Sequence, residues 1–450
     1  MEDDRRLRDD PSIIDNPFLQ LLLFTPPIHS EDQASAPGSI LLDPYGYVSD
    51  RTNGTTAEGF TRDGNLILVT FWPASPPRAS CFTVHCPDLK PSAFGDLPKV
   101  ISAEDDLVLL RVAICPRGEH LFDKSSDYFV YQAGTKNKAP SLKLVPTPPD
   151  LEITDDGTVL LRCRDHDMFF LATLRRSFIN LQYAGRQFDL QLYNSKTERW
   201  STKLMHVDSP ENFAYHYANN VITIGGELGS VGWVDLWRGI LICDLLLDNH
   251  SLRYIPLPSP LVPKPPRGQP MFIRNIIVLK GYIKYFEMHR CITKGWEATT
   301  MMMNFSNIGS GNSWEVDCTI KFSEVPVNSP AHAQMLPILL EGKDTEPTLK
   351  RLHASYPVLS LHDDDVVYIM ANPNPFEDKA SVIAVDMRNK TLKGVSDFGS
   401  GRPAGYGFTF LQSGISKHLG IWSSTRKRGN AVRRIAAETG RKGIAAPSGK

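Results

Sequence analysis

What most constrains this chain is a succession of short apolar runs, extended in character and too short for packed helices. They read LILVTFW (66–72), LVLLRVAI (107–114), YFVY (128–131), TVLLRC (158–163) and FFLATL (169–174). β-Branched and aromatic residues, the natural occupants of strands, are frequent in them. Phe188, Leu190 and Leu192 alternate with Asp189 and Gln191, which gives that strand one wet face. Turn residues separate the runs, and 34 prolines with 32 glycines are more breaks than a helix-dominated fold needs. Many short strands at close spacing leave a sandwich, a barrel or a propeller.

A weak internal repeat selects among these. LQLYNSKTERW (190–200), LLLDNHSLRYI (245–255) and AVDMRNKTLKG (384–394) each pass from an apolar strand through a polar turn of four residues into the next strand. Aligned on Thr197, Ser251 and Thr391, the copies lie 54 and 140 residues apart, and 140 is about three spacings of 47. A propeller blade has roughly that length, and its strands are joined by tight hairpins in which Asn, Asp and Ser tolerate unusual backbone angles. The expected fold is all-β and β-propeller-like, with six or seven blades over a body of about 360 residues.

Composition shifts mark the ends. Residues 1–60 begin with charges and continue rich in Pro, Ser, Asp and Gly, with one apolar island at 18–24, and are expected to form a poorly ordered arm. Residues 61–420 make the propeller-like body, and 421–450 a basic tail expected to be disordered. Gly401 to Lys450 hold ten Lys/Arg against one acid, Glu438, whereas the other 400 residues carry 39 basic and 49 acidic groups. A mildly acidic body disfavours a broad nucleic-acid-binding face, because phosphate contacts need clustered cations. Only the tail, with seven cations within 425–442, offers such a contact or a nuclear-import signal. Inside the body, 330–352 reads as a helical insertion or a long loop, and the proline-rich 257–270 as an extended connector.

One stretch concentrates the chemistry. VGWVDLWRGILICD (231–244) holds two of the seven tryptophans, with Asp235 between them and Arg238 after. Gly225-Gly226 precede it as a turn, so the pattern is strand, turn, strand. Trp233, Asp235 and Trp237 share the parity of one strand face, and Gly239 marks a bend or a close approach of backbone. An acid and an arginine beside indoles permit a catalytic pair. A structural Asp235–Arg238 pair sealing a sheet corner over packed Trp233 and Trp237 is the stronger expectation, since no histidine base lies beside them in the sequence. Trp233, Asp235, Trp237, Arg238 and Asp244 are therefore read as a structural signature.

The same stretch, followed by Arg253-Tyr254-Ile255-Pro256-Leu257-Pro258, resembles the plant family catalogued as domain of unknown function 1618, abundant in grasses. Further similarity lies in CFTVHCPD (81–88), ISAEDDLVLLRVA (101–113) and DYFVYQAG (127–134). It continues in GYIKYFEM (281–288), GWEATT (295–300), LHASYPVLSLHDDDVVYIM (352–370) and VIAVDMRNKTL (382–392), so that it spans roughly residues 60–420. The resemblance implies an intracellular plant protein and an all-β fold; the family carries no assigned activity, so it implies no reaction.

Motifs for catalysis and for cofactors are missing. CFTVHC offers Cys81, His85 and Cys86, but Cys86 has the wrong strand parity and no second cluster has zinc spacing. Asp363-Asp364-Asp365 lack the spacing of a calcium loop and read as a solvated turn, although such acids could line an enzyme's channel rim. GGELGSVGW (225–233) leads into a strand and is not followed by Gly-Lys-Ser/Thr, which disfavours a phosphate loop. No Gly-x-Ser-x-Gly elbow or His-Glu-x-x-His pair occurs. Seven scattered cysteines read as reduced thiols, MEDDRRLRDD is no secretory signal, and the longest apolar runs are too short to cross a bilayer. The expectation is a non-catalytic module, cytoplasmic or nuclear, that binds a protein partner and needs no cofactor or metal. Its rivals are an enzyme with a site in the propeller channel and a nuclear factor acting through the tail.

Overall fold

The computed structural model describes residues 38–419 except 116–125, 136, 149–150, 152, 178–185, 209–212, 214, 263–267, 292–294, 309–312, 337–347, 373–379 and 398–409. The apolar island at 18–24 and the basic tail at 421–450 lie outside the described residues.

Five antiparallel meanders of four strands follow one another along the chain. They are β6 to β9 (Lys99–Glu104, Leu107–Ala113, Ser126–Gln132, Ser141–Leu144) and β10 to β13 (Thr158–Cys163, Met168–Arg176, Gln187–Asn194, Arg199–Asp208). Then come β14 to β17 (Asn220–Gly225, Ser230–Asp235, Gly239–Asp244, Leu252–Pro256) and β18 to β21 (Arg274–Leu279, Tyr282–Cys291, Gly295–Asn304, Glu315–Lys321). The last is β22 to β25 (His353–Leu359, Val366–Asn372, Ser381–Asp386, Thr391–Asp397). A sixth unit joins the two ends of the described chain. In it β3 (Ala57–Phe60), β4 (Leu66–Trp72) and β5 (Ala79–His85) form the outer part. β1 (Ile40–Leu42) and β2 (Tyr47–Val48) run parallel to β5, and β26 (Leu411–Ser413) pairs antiparallel with β1.

The first strands of successive meanders pack on one another: β6 on β10, β10 on β14, β14 on β18, β18 on β22, and β22 on β26. Tyr45, between β1 and β2, bridges to Lys99 at the head of β6 and closes the circle. Six apolar cores follow from this arrangement, each shared by two neighbouring units. A strand between two cores is buried on both faces, which is why the runs read as continuous apolar sequence. In β7 Val108, Leu110 and Val112 face the sixth unit, while Leu107 and Leu109 face β10 and β11. In β16 Leu241 and Cys243 pack toward one neighbour and Ile240 and Ile242 toward the other. Small sheets repeated around an axis with one core per interface make an all-β, β-propeller-like fold, as expected.

The polar repeat is the hairpin between third and fourth strands. Asn194 to Glu198 join β12 to β13, 245–251 join β16 to β17, and Met387 to Lys390 join β24 to β25. Side chains hold these turns: Asn194 Oδ1 accepts from the Lys196 and Thr197 amides, and Asp386 Oδ1 from the Asn389 amide. The copies at Ser251 and Thr391 are two units apart, not three. Residues 322–352 between β21 and β22 supply the excess, with 3-10 turns at Phe322–Glu324 and Leu349–Arg351 and a short helix α1 (Pro330–Met335). Among the described residues, the helical reading of 330–352 holds for Pro330–Met335.

The N-terminal boundary moves. Part of the expected arm, 38–60, belongs to the sheets: Ile40, Leu41, Leu42 and Tyr47 are fully buried, because β1 must cover the edge of β5 and receive β26. Among the described residues no helix is long and apolar enough to cross a membrane.

Candidate functional site

In each antiparallel meander the first and third turns lie at one end, and the second turn and the link to the next unit at the other. The hairpin of β15 and β16 turns at the second position, so residues 236–238 share a face with 213 and 215–219, the described residues of the link that follows β13. Gly225 and Gly226 make the preceding turn, both with φ above +70°, where a side chain would be strained.

Asp235 organises this end. It is 1% exposed and its carboxylate is saturated. Oδ1 accepts from the Trp237 amide at 3.0 Å, and Oδ2 from the Tyr217 amide and Arg238 Nη1, each at 3.0 Å. The expected Asp235–Arg238 pair is thus present, and it also fixes the link through Tyr217. The Arg238 guanidinium lies 3.9 Å from the Tyr215 ring centroid and donates from Nη2 to the Tyr215 hydroxyl. Tyr215, Tyr217 and Arg238 reach solvent at this end; Tyr217 is 62% exposed.

His216, between the two tyrosines, points inward. It is buried, with Nε2 2.9 Å from the Trp233 carbonyl oxygen, which makes Nε2 the protonated nitrogen. Burial pulls its pKa down to about 4 against the opposing pull of Asp235, so the ring is neutral at pH 7. Tyr254 stands edge-on to His216 and to Phe213. The Tyr254 ring lies so close over Gly239 that a Cβ there would sit 2.5 Å from it, which explains the glycine.

The two signature tryptophans part company. Trp233 is fully buried between β10–β13 and β14–β17, and its Nε1 donates to the Gly157 carbonyl at 2.8 Å. Trp237 lies beyond the end of β15 in the turn, half-buried, so strand parity does not apply to it. Its ring carries the Arg274 guanidinium at 4.5 Å. Arg274 donates from Nη1 to the Leu236 carbonyl at 2.8 Å and pairs through Nη2 with Glu287 at 3.1 Å, both side chains 1% exposed. Glu287 also accepts from the Tyr285 hydroxyl and the Leu261 amide. Asp244 is elsewhere: six residues of strand carry it to the opposite face, where Arg253 Nη2 donates to both its oxygens and Ser230 to one.

Sequence reasoning therefore found Asp235 and Arg238 but missed Tyr215, His216, Tyr217, Arg274 and Glu287. Only the last pair left a trace, as a lone arginine and a lone acid at the ends of apolar runs in FIRNIIVL and YIKYFEM. The other candidates do not converge on this end. Asp364 pairs with Lys280, tying β22–β25 to β18–β21, and Asp365 pairs with Arg388 within β22–β25. Cys81 and Cys86 are core residues, and burial pushes the Cys86 thiol up to about 12. Among the described residues no three His, Cys, Asp or Glu side chains gather as a metal site would require.

Fold and site together define a β-propeller-like protein whose most sequence-distinctive hairpin is locked by ion pairs. Over residues 233–368, less than half of its length, the chain matches the family model described as "Protein of unknown function (DUF1618)", and it resembles that family. That span begins at Trp233 and includes Asp235, Trp237, Arg238, Asp244, Arg274 and Glu287. No curated protein matches the chain. Among solved structures, a GH43 β-1,3-galactosidase is similar at 8% identity and TM-score 0.27, covering 67% of this chain and 58% of that one. Hydrazine synthase of Kuenenia stuttgartiensis is similar at 10% identity and TM-score 0.32, covering 76% and 78%. The β-propeller domain of the Trilobed protease from Pyrococcus furiosus is similar at 12% identity and TM-score 0.25, covering 67% and 70%. The chain thus spans little more than half of the galactosidase, and scores this low carry no argument about chemistry.

Proposed function

We propose that this chain is a non-catalytic interaction module of the plant cytoplasm or nucleus, and that a protein partner docks on the end displaying Tyr215, Tyr217 and Arg238. One observation carries the reading: Arg238 is held between buried Asp235 and the face of Tyr215, beside the exposed Tyr217. Tyrosine and arginine are the residues that most often anchor protein interfaces, and groups already fixed lose little entropy on docking. The carboxylates at this end are spent on amides and guanidinium groups, which suits scaffolding better than proton transfer. The test is affinity capture from plant tissue with the intact chain and with Tyr217→Ala, whose side chain is exposed. A partner retained by the former and lost from the latter, at equal melting temperature, supports the reading; failure of the intact chain to enrich any reproducible partner overturns it.

One observation favours the enzyme reading. Glu104, the last residue of β6, has its carboxyl raised by burial, and secondarily by Asp105, to about 7, in the range of a general acid or base. Turnover of any substrate in a hydrolase panel that Glu104→Gln abolishes would install that reading in place of the first. The basic tail bears on the rival of a nuclear factor: a fluorescent fusion lacking 421–450 tests it by its nuclear fraction.

A further inference from the structure

Among the described residues β13 is the longest outermost strand, with ten residues reading RWSTKLMHVD. One side pairs over Arg199 to His206 with β12. On the other side only its last two residues are paired, Val207 with Leu252 and Asp208 with Arg253, where β17 of the next unit lies parallel. Among the described residues, 199–206 have no strand on that side. Every second residue there turns its N–H and C=O outward, a template about 27 Å long at roughly 3.4 Å per residue. The short pairing with β17 demonstrates that this edge accepts a parallel strand.

The side chains specify what such a strand must look like. Arg199, Ser201 and Lys203 project to one side, while Trp200, Thr202 and Leu204 project to the other. Neither Arg199 nor Lys203 makes an ion pair among the described residues, whereas nearby Lys143 is neutralised by Glu198. Leu204 is 41% exposed. The Trp200 ring packs on Tyr193, its Nε1 donates to the Pro146 carbonyl at 2.7 Å, and it walls a groove of about 420 Å³ with Pro146, Thr147, Pro148, Glu198 and Arg199. The edge is thus cationic on one side and apolar on the other, with a pocket at its start.

We propose that β13 is a strand-addition site for an extended segment of a partner protein that alternates acidic and aliphatic residues. Its backbone pairs with 199–206, its carboxylates meet Arg199 and Lys203, and its aliphatic side chains cover Leu204 and enter the groove beside Trp200. This surface is separate from the tyrosine end, so Tyr217→Ala leaves it intact.

The probe is an acetylated octapeptide alternating Glu and Val, titrated by fluorescence polarisation against the full chain, with amide hydrogen exchange read in parallel. Saturation is expected to slow exchange within 199–206 by at least tenfold. The double variant R199E/K203E is expected to weaken binding by tenfold or more at unchanged melting temperature. Two further peptides, N-methylated at odd or at even positions, separate strand pairing from charge attraction, because only one of them keeps the donors that face the protein. Strand addition requires one to bind like the parent and the other at least tenfold worse. Equal binding of both, unchanged exchange at 199–206, indifference to R199E/K203E, or a concentration-dependent dimer formed through this edge without peptide would each overturn the proposal.

Discussion

Two interfaces of β18–β21 solve the same electrostatic problem in opposite ways. Toward β14–β17, Arg274 and Glu287 are withdrawn from water almost completely: Glu287 accepts from the Tyr285 hydroxyl and the Leu261 amide, while Arg274 lies over Trp237 and donates to the Leu236 carbonyl from Nη1, its Nε and Nη2 finding no hydrogen-bond acceptor among the described residues. Toward β22–β25, the ions form a graded network. Lys284 and Asp317 are buried inside it, while Arg388, Lys280 and Asp364 reach solvent around them. A buried pair in isolation is a hostage, because removing one partner strands the other in low dielectric. A network open to water redistributes its charges, so its outer members can be lost cheaply.

The largest test of that contrast is Glu287→Ala. Leaving Arg274 unpaired is expected to cost about 3–5 kcal/mol in urea unfolding. The apolar double replacement Arg274→Met with Glu287→Leu is expected to recover most of it, and a double variant no better than the single would break the comparison. Next comes the tryptophan pair that the ions brace. Trp233→Ala is expected to cost about 3–5 kcal/mol through a cavity, and Trp237→Ala, half-exposed beneath Arg274, about 1–2. Equal losses would show that the turn is as deeply anchored as the core.

Glu104 gives the case in which no ion pair among the described residues offsets burial. Its pKa is raised to about 7, so the native state holds its proton more tightly than the unfolded chain, and stability falls as pH rises from about 4.5 through 7. Glu104→Gln is expected to be neutral at pH 4 and to stabilise by on the order of 2 kcal/mol at pH 8. A stability difference that does not change with pH would refute this. The smallest effect belongs to the open network: Lys280→Ala, on a pair more than half exposed at the lysine, is expected to cost below about 1 kcal/mol and to vanish in molar salt. Asp317 supplies the pH signature at the network's centre. Burial alone would raise its carboxyl, but hydrogen bonds from Lys284, Thr300 and Arg388 outweigh it and hold the pKa below the ordinary value. Its contribution is therefore present above about pH 4 and lost as pH falls through the lowered value.

Much of this architecture was legible before any coordinates. LVLLRVAI and GILICD are apolar on both parities, which is what a strand wedged between two cores requires, and the polar tetrads after Tyr193, Leu247 and Met387 marked hairpins of one kind. The Asp235–Arg238 pair was legible because only two residues separate its members. Trp237 was misplaced, because parity counting assumed that β15 continued past Asp235, where the carboxylate instead caps a turn. Residues 38–60 looked like an arm because their partners, β5 and β26, lie far along the chain.

The chain's own order of apolar runs, glycines and polar turns determined that it builds small antiparallel sheets, since those signals act between residues a few positions apart. Only the closed structure decided which distant groups became partners: Arg274 with Glu287, Tyr217 with Asp235, and β26 with β1. Such pairings depend on how successive sheets rotate around the axis. That rotation is set by the packing of six cores at once, and no local stretch of sequence encodes it.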